Sequence, residues 1–163
     1  MFDLPFEEIA PLVGRSPLAA RQLASRARRR VQGLDAAPDA DLARRREVVE
    51  AFLAASRAGD FDALLQVLDP DVVLRVDDPG ATSGEQVVVR GALSVVKRSR
   101  AYSRSARFCR VMLVDGSPGV VMAPRGRLSR AFRVTIDHGK IREIDIVADP
   151  ARLGRLELAV LTD

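Results

Sequence analysis

Six arginines crowd the first 34 residues, Arg15, Arg21, Arg26, Arg28, Arg29 and Arg30, against only Asp3, Glu7 and Glu8. At about 100° per residue, Ala20, Leu23, Ala24, Ala27 and Val31 fall on one helix face. Gln22, Ser25 and Arg29 centre the opposite face, with Arg21 and Arg26 on its flanks. Outward-facing guanidinium forks and amides suit base edges in a DNA major groove, and further arginines suit phosphates. A helical hairpin with a solvated arginine face fits the same pattern.

Other chemistry-bearing residues are few. The single histidine, His138, stands in Asp137-His138-Gly139-Lys140, which reads as a hairpin tip, where a general base has nothing to orient it. Tyr102 is a candidate donor to a pocket or a packing residue, and Cys109 reads as a small buried hydrophobe within a strand. Asp77 and Asp78 pair two carboxylates ahead of Pro79-Gly80, in a loop that solvent satisfies. One cysteine and one histidine leave no multi-cysteine zinc site and no two-histidine metal site. No glycine-rich phosphate loop or nucleophile elbow occurs. No catalytic residue, metal or cofactor is therefore expected, and an enzymatic reading rests on fold analogy alone.

The elements that must position these residues follow from patterning. Pro5 opens a first helical turn carrying Phe6, Ile9 and Ala10, Gly14 supplies a tight turn, and Ser16-Pro17 caps and starts the basic helix. A short helix, a glycine turn and a longer basic helix make the helix-turn-helix layout. The small, acidic, proline-containing stretch around Gly33–Asp41 reads as a linker. Beyond it, Val48, Val49, Phe52, Leu53 and Ser56 predict a helix from about 44 to 58, ended by Gly59. Asp60 caps a second helix, stopped by Asp69-Pro70, and a strand over 72–76 follows. A short strand over 87–91 leads into a third helix over 92–104. Strands over 107–114, 119–123, 127–137 and 140–148 close the chain. Helices first and an antiparallel meander last give an α+β class.

In the last hairpin, a three-residue loop places Phe132, Val134 and Ile136 on one face with Ile144 and Ile146, and sets Arg133 opposite Glu143. A two-residue loop instead turns Glu143 and Asp145 inward, making Asp145 a pocket candidate beside Tyr102. The hydrophobic pattern favours the former.

The chain has 163 residues, 47% of them hydrophobic and 29% charged, and a net charge of +4. This is the composition of a globular protein, with no run long enough for a membrane helix and an acidic start unlike a secretory leader. Three of the four net positive charges lie in residues 1–34. A GC-rich coding sequence, which inflates Arg and Ala throughout, accounts for the remainder equally well.

The front residues Leu4-Pro5-Phe6-Glu7-Glu8-Ile9-Ala10, Leu12-Val13-Gly14-Arg15-Ser16-Pro17 and Arg21 to Arg29 resemble the end of region 4 of extracytoplasmic-function sigma factors. The resemblance implies recognition of the −35 promoter element through Arg15, Ser16, Arg21, Gln22, Ser25 and Arg26, with Arg28 and Arg29 on the DNA backbone. The region that binds core polymerase and melts the −10 element has no counterpart here, so the chain reads as a C-terminal portion of such a factor. The body, with Ala58-Gly59-Asp60 and Asp69-Pro70-Asp71-Val72, is similar to the SnoaL-like branch of the NTF2-like superfamily, a cone of curved antiparallel sheet packed on helices.

The pairing of the two parts resembles sigma factors with a SnoaL-like extension. That group carries an Asp-Gly-Gly-Gly-Arg motif and an Asn-Pro-Asp-Lys-Leu motif tied to modulation of the sigma core. The corresponding positions are Asp77, Asp78 and Gly80, and Asp149, Pro150 and Leu153. The second keeps the proline, a basic residue and the leucine, and the first keeps little.

The expected organisation is a partial helix-turn-helix over 1–34, a linker over 35–43 and a SnoaL-like domain over 44–163. The resemblance implies a cytoplasmic protein whose partners are promoter DNA, RNA polymerase core and the sigma core of the same polypeptide. No membrane partner is implied, and open sheet faces in the superfamily make a homodimer an expected arrangement. The alternative is a small-molecule-binding protein or a polyketide-cyclase or isomerase type of enzyme with a helical appendage.

Overall fold

The computed structural model describes residues 38–77 and 86–161. The front residues Arg15, Ser16, Arg21, Gln22, Ser25, Arg26, Arg28 and Arg29, together with Asp78 and Gly80, lie outside the described residues.

Helix α1 spans Pro38–Ala58 and begins six residues ahead of the expected start, so the segment read as linker is helical from Pro38 onward. Its apolar stripe, Val49, Phe52, Leu53 and Ala55, is buried against the sheet. Gly59, at φ 65°, ends the helix in a left-handed conformation, and the Asp60 amide reaches back to the Ala55 carbonyl at 3.0 Å. The Asp60 carboxylate then accepts from the Ala63 amide at 3.0 Å and starts helix α2, Phe61–Val67.

Strand β1 runs over Leu68–Asp77 and so starts four residues ahead of the expected 72, taking in Asp69-Pro70. The strand accommodates the proline because its register shifts between Leu68 and Val73, where ladder bonding lapses. Strand β2 (Val87–Arg90), helix α3 (Ala92–Ser99) and a 3₁₀ helix (Arg100–Phe108) follow. The third helix thus tightens at Arg100, and the next strand starts two residues later than the pattern suggested.

Strands β3 (Cys109–Val114), β4 (Ser117–Met122), β5 (Arg130–Asp137) and β6 (Lys140–Val147) form the meander. A short helix α4 (Pro150–Leu153) and strand β7 (Leu158–Ala159) complete the described chain. The sheet order is β2-β1-β6-β5-β4-β3-β7. Most neighbours are antiparallel, but β1 and β6 pair in parallel, joining the helical start of the domain to its last hairpin. That join arises from elements far apart in sequence, and strand β7 on the β3 edge was not anticipated.

The β5–β6 hairpin corrects the expected loop. Asp137 pairs with Lys140 around a two-residue turn, His138 at φ 48° and Gly139 at φ 72°. Taken alone, that turn would bring Glu143 and Asp145 to the apolar face. A register shift beyond Ile136 and Ile141 absorbs one residue at Arg142, so Val134 meets Ile144 and Phe132 meets Ile146. Arg133 consequently stands opposite Asp145 rather than Glu143. The hydrophobic face prevails over the turn because inverting it would bury two carboxylates.

Two layers of core result. The concave face carries Leu74, Val76 and Ile144 against helices α1, α2 and α3. On the convex face Val121, Ala131 and Val147 pack under Leu153, Leu156 and Leu158 of the C-terminal segment. Gly119 in β4 is fixed by close packing, since a Cβ there would stand 2.5 Å from the Phe132 carbonyl oxygen. No helix among the described residues is long and apolar enough to cross a membrane.

Candidate functional site

The concave face does not close completely on the helices. A cavity of about 760 Å³, its open mouth included, remains between the sheet, α1, α3 and the 3₁₀ helix. Alternation in the strands aims Leu74, Val76, Phe132, Ile144 and Ile146 into it, and α1 adds Phe52 and Leu53. Along the third helix, Val95, Arg98, Ser99 and Tyr102 line it at i, i+3, i+4 and i+7, one continuous helix face.

The charged groups described in this cavity are of one sign. Arg98 and Arg130 both line it, and no aspartate, glutamate or histidine does among the described residues. The Nε of Arg98 is shielded from solvent and has no hydrogen-bond partner among the described residues. The Arg130 guanidinium lies 5.4 Å from the centre of the Tyr102 ring. The lining serines spend their protons on helix carbonyls: Ser56 donates to Phe52 at 2.8 Å, Ser99 to Val96 at 2.7 Å and Ser103 to Arg100 at 3.1 Å. Burial pushes the Cys109 thiol up to about 11, against the nearby charges of Arg57 and Arg110, so it is a protonated wall residue at neutral pH. Arg57 itself donates to the Cys109 carbonyl at 2.6 Å and to the Ala106 carbonyl at 3.3 Å, tying α1 to the end of the 3₁₀ helix.

Of the two pocket candidates read from sequence, Tyr102 lines the cavity, while Asp145 lies on the other sheet face opposite Arg133. Arg98 and Arg130 were missed. Their signal was an arginine three residues after buried Val95 on an apolar helix face, and another two residues before Phe132 in a strand. His138 sits at the hairpin tip with its side chain 93% exposed. Among the described residues, the cavity lining holds none of the acid–base carboxylates or imidazoles that the cyclase or isomerase alternative calls for. No cluster of three or more metal-ligating side chains occurs among the described residues.

A second constellation joins two sequence motifs that lie more than 70 residues apart. Asp77, at the end of β1, accepts from the Ala148 amide and, at 3.3 Å, from the Asp149 amide. Its other oxygen pairs with the Arg152 guanidinium. Asp149 in turn caps α4 by accepting from the Arg152 amide at 2.8 Å, Pro150 occupies the first turn, and Leu153 is buried in the convex core. Asp77 is therefore no solvated loop carboxylate. It is the bracket that holds the start of α4 to the sheet.

No protein-family model matches the chain. The chain is 36% identical over 157 residues to a Mycobacterium tuberculosis protein named "Probable ECF RNA polymerase sigma factor SigI". The match covers 96% of this chain and 52% of the relative. The crystal structure of the extracytoplasmic-function sigma factor SigJ from the same organism superposes with a TM-score of 0.55 at 31% identity. It covers 90% of this chain and 54% of that one. A cystatin-like protein of unknown function from Methylobium petroleophilum, 20% identical over 74% of this chain and 87% of that one, has a TM-score of 0.50 and supports the curved-sheet fold alone. The chain spans about half the length of the curated relatives it matches. The chain is thus a homologue, over nearly its whole length, of about half of each of these extracytoplasmic-function sigma factors.

Proposed function

We propose that the chain works as the C-terminal portion of a bacterial extracytoplasmic-function sigma factor. Residues 1–34 contact the −35 promoter element, and the SnoaL-like domain regulates sigma activity by packing on the sigma core. The single observation that carries this reading is the extent of the match to SigI. An alignment covering 96% of the chain cannot omit the arginine-rich front, so front and body are related to one sigma factor together.

In this reading Arg21, Gln22, Ser25 and Arg26 meet base edges, Arg15 and Ser16 hold the turn on the DNA, and Arg28 and Arg29 neutralise phosphates. RNA polymerase core is the assembly partner, reached through the sigma core. The Asp77–Arg152 bracket keeps α4 and the motif Asp149-Pro150-Ala151-Arg152-Leu153 in a fixed position on the convex side, available to the sigma core. The open part of the sheet is the surface for a homodimer.

Selection from a randomised DNA duplex library at about 0.15 M salt tests the front. The chain should enrich one motif, and Arg21→Ala with Arg26→Ala should lower affinity for it at least about tenfold, because each base contact discriminates by roughly 1–3 kcal/mol. Identical affinity of the variant removes the reading.

A further inference from the structure

We propose that the concave-face cavity is a binding site for a small amphiphilic carboxylate, its apolar body against the sheet and its anionic head between Arg98 and Arg130. The inference does not rest on the sigma-factor reading. It rests on a mismatch of charge within the cavity.

A guanidinium N–H shielded from water needs a partner, and a well-formed partner is a carboxylate held by two parallel hydrogen bonds. Elsewhere on the sheet several arginines have such a partner within the chain: Arg75 with Glu143 at 3.4 Å, Arg133 with Asp115 at 3.7 Å, Arg142 with Asp137 at 3.0 Å. The cavity supplies no acidic partner among the described residues. Two arginines line it without a single acidic side chain, and the Arg98 Nε is buried with its donor unused. Tyr102 offers Arg130 its ring, which attracts a cation but supplies no counter-charge. The serine protons are already committed to the helix backbone.

The walls decide the rest of the ligand. Leu74, Val76, Phe132, Ile144 and Ile146 form a continuous apolar surface, the kind of wall that lines small-molecule sites. An inorganic anion satisfies the arginines and leaves those walls wet. A neutral hydrocarbon covers the walls and leaves Arg98 unpaired. A carboxylate on a chain of several carbons, or on a small apolar ring, satisfies both.

Isothermal titration of the 163-residue chain with decanoate, 1-decanol and acetate separates these cases. Decanoate should bind saturably with one site and at least about tenfold more tightly than 1-decanol, and acetate should give no saturable heat. Arg98→Gln and Arg130→Gln should each weaken decanoate about tenfold and leave 1-decanol unchanged, and Arg98→Lys should retain part of the preference. Equal affinity for decanoate and 1-decanol overturns the proposal, as does the absence of saturable decanoate binding. If Arg98→Gln fails to fold, the decanoate-to-decanol ratio and Arg130→Gln still decide it. Binding to phosphatidylglycerol vesicles without binding to decanoate also overturns it, by assigning the arginines to a lipid surface. None of these outcomes bears on the DNA selection above.

Discussion

The two faces of the sheet handle charge in opposite ways. On the convex side several charges are answered within the chain: Asp77 by two amides and Arg152, Glu143 by Arg75, Asp115 by Arg133. On the concave side Arg98 and Arg130 border an apolar cavity with no acid among its lining residues. Both faces carry a hydrophobic core, so burial alone does not distinguish them. The difference is that the convex face is finished by the chain's own C-terminal segment, whereas the concave face is left incomplete. The convex bracket fixes the position of the C-terminal segment, and the concave arginines are the ones left for the ligand proposed above.

This contrast can be broken at several points. The largest effect belongs to the concave core. Ile144 is 1% exposed, and Ile144→Ala should cost about 2–5 kcal/mol in denaturant unfolding, from lost transfer energy and the enlarged cavity. An effect below about 1 kcal/mol would mean that the concave face is too loosely packed to be a shaped site.

Next comes the bracket. Asp77→Ala should cost about 1–3 kcal/mol, since it leaves two amides and a guanidinium without their acceptor. Hydrogen exchange at the Ala148 and Asp149 amides should rise in this variant while the β3–β4 hairpin keeps its protection. Uniform acceleration throughout the domain would instead make Asp77 a general stability residue, with no local role for α4.

The Cys109 thiol gives a pH test of the concave wall. Its pKa rises from 9.0 to about 11 in the fold, so the protonated form is the one the folded state favours. The associated stability is present below pH 9 and declines as pH rises toward 11. Thermal unfolding of the wild type between those limits should fall more steeply than that of Cys109→Ala. The smallest effect is expected for the half-exposed Arg75–Glu143 pair, where the double alanine variant should shift stability by no more than about 0.2–1 kcal/mol. A larger loss would show that the convex charges hold the sheet together rather than merely covering it.

Much of this was legible in the order of residues. The Gly59 stop, the Asp60 cap and the apolar stripe of α1 depend on local backbone rules, and they stand where those rules put them. The inward placement of Phe132, Val134, Ile144 and Ile146 was also legible, because burying carboxylates costs more than a bulge. The turn that delivers that placement was not, since a two-residue turn with a compensating extra residue and a three-residue loop satisfy the same pattern.

Pairings between distant segments were out of reach of local rules. Helix and hairpin signals arise from residues a few positions apart, whereas the parallel join of β1 to β6 depends on how the whole sheet closes. The same holds for Asp77, whose carboxylate meets α4 only in the folded sheet, and for Asp145, whose face is set by the register shift at Arg142. Sequence by itself determined the α+β class, the principal helix caps and the kinship of the arginine-rich front and the curved-sheet body. Only the tertiary structure decided which charges are paired and which are left facing a cavity, because a counter-charge is a neighbour in space and not in the chain.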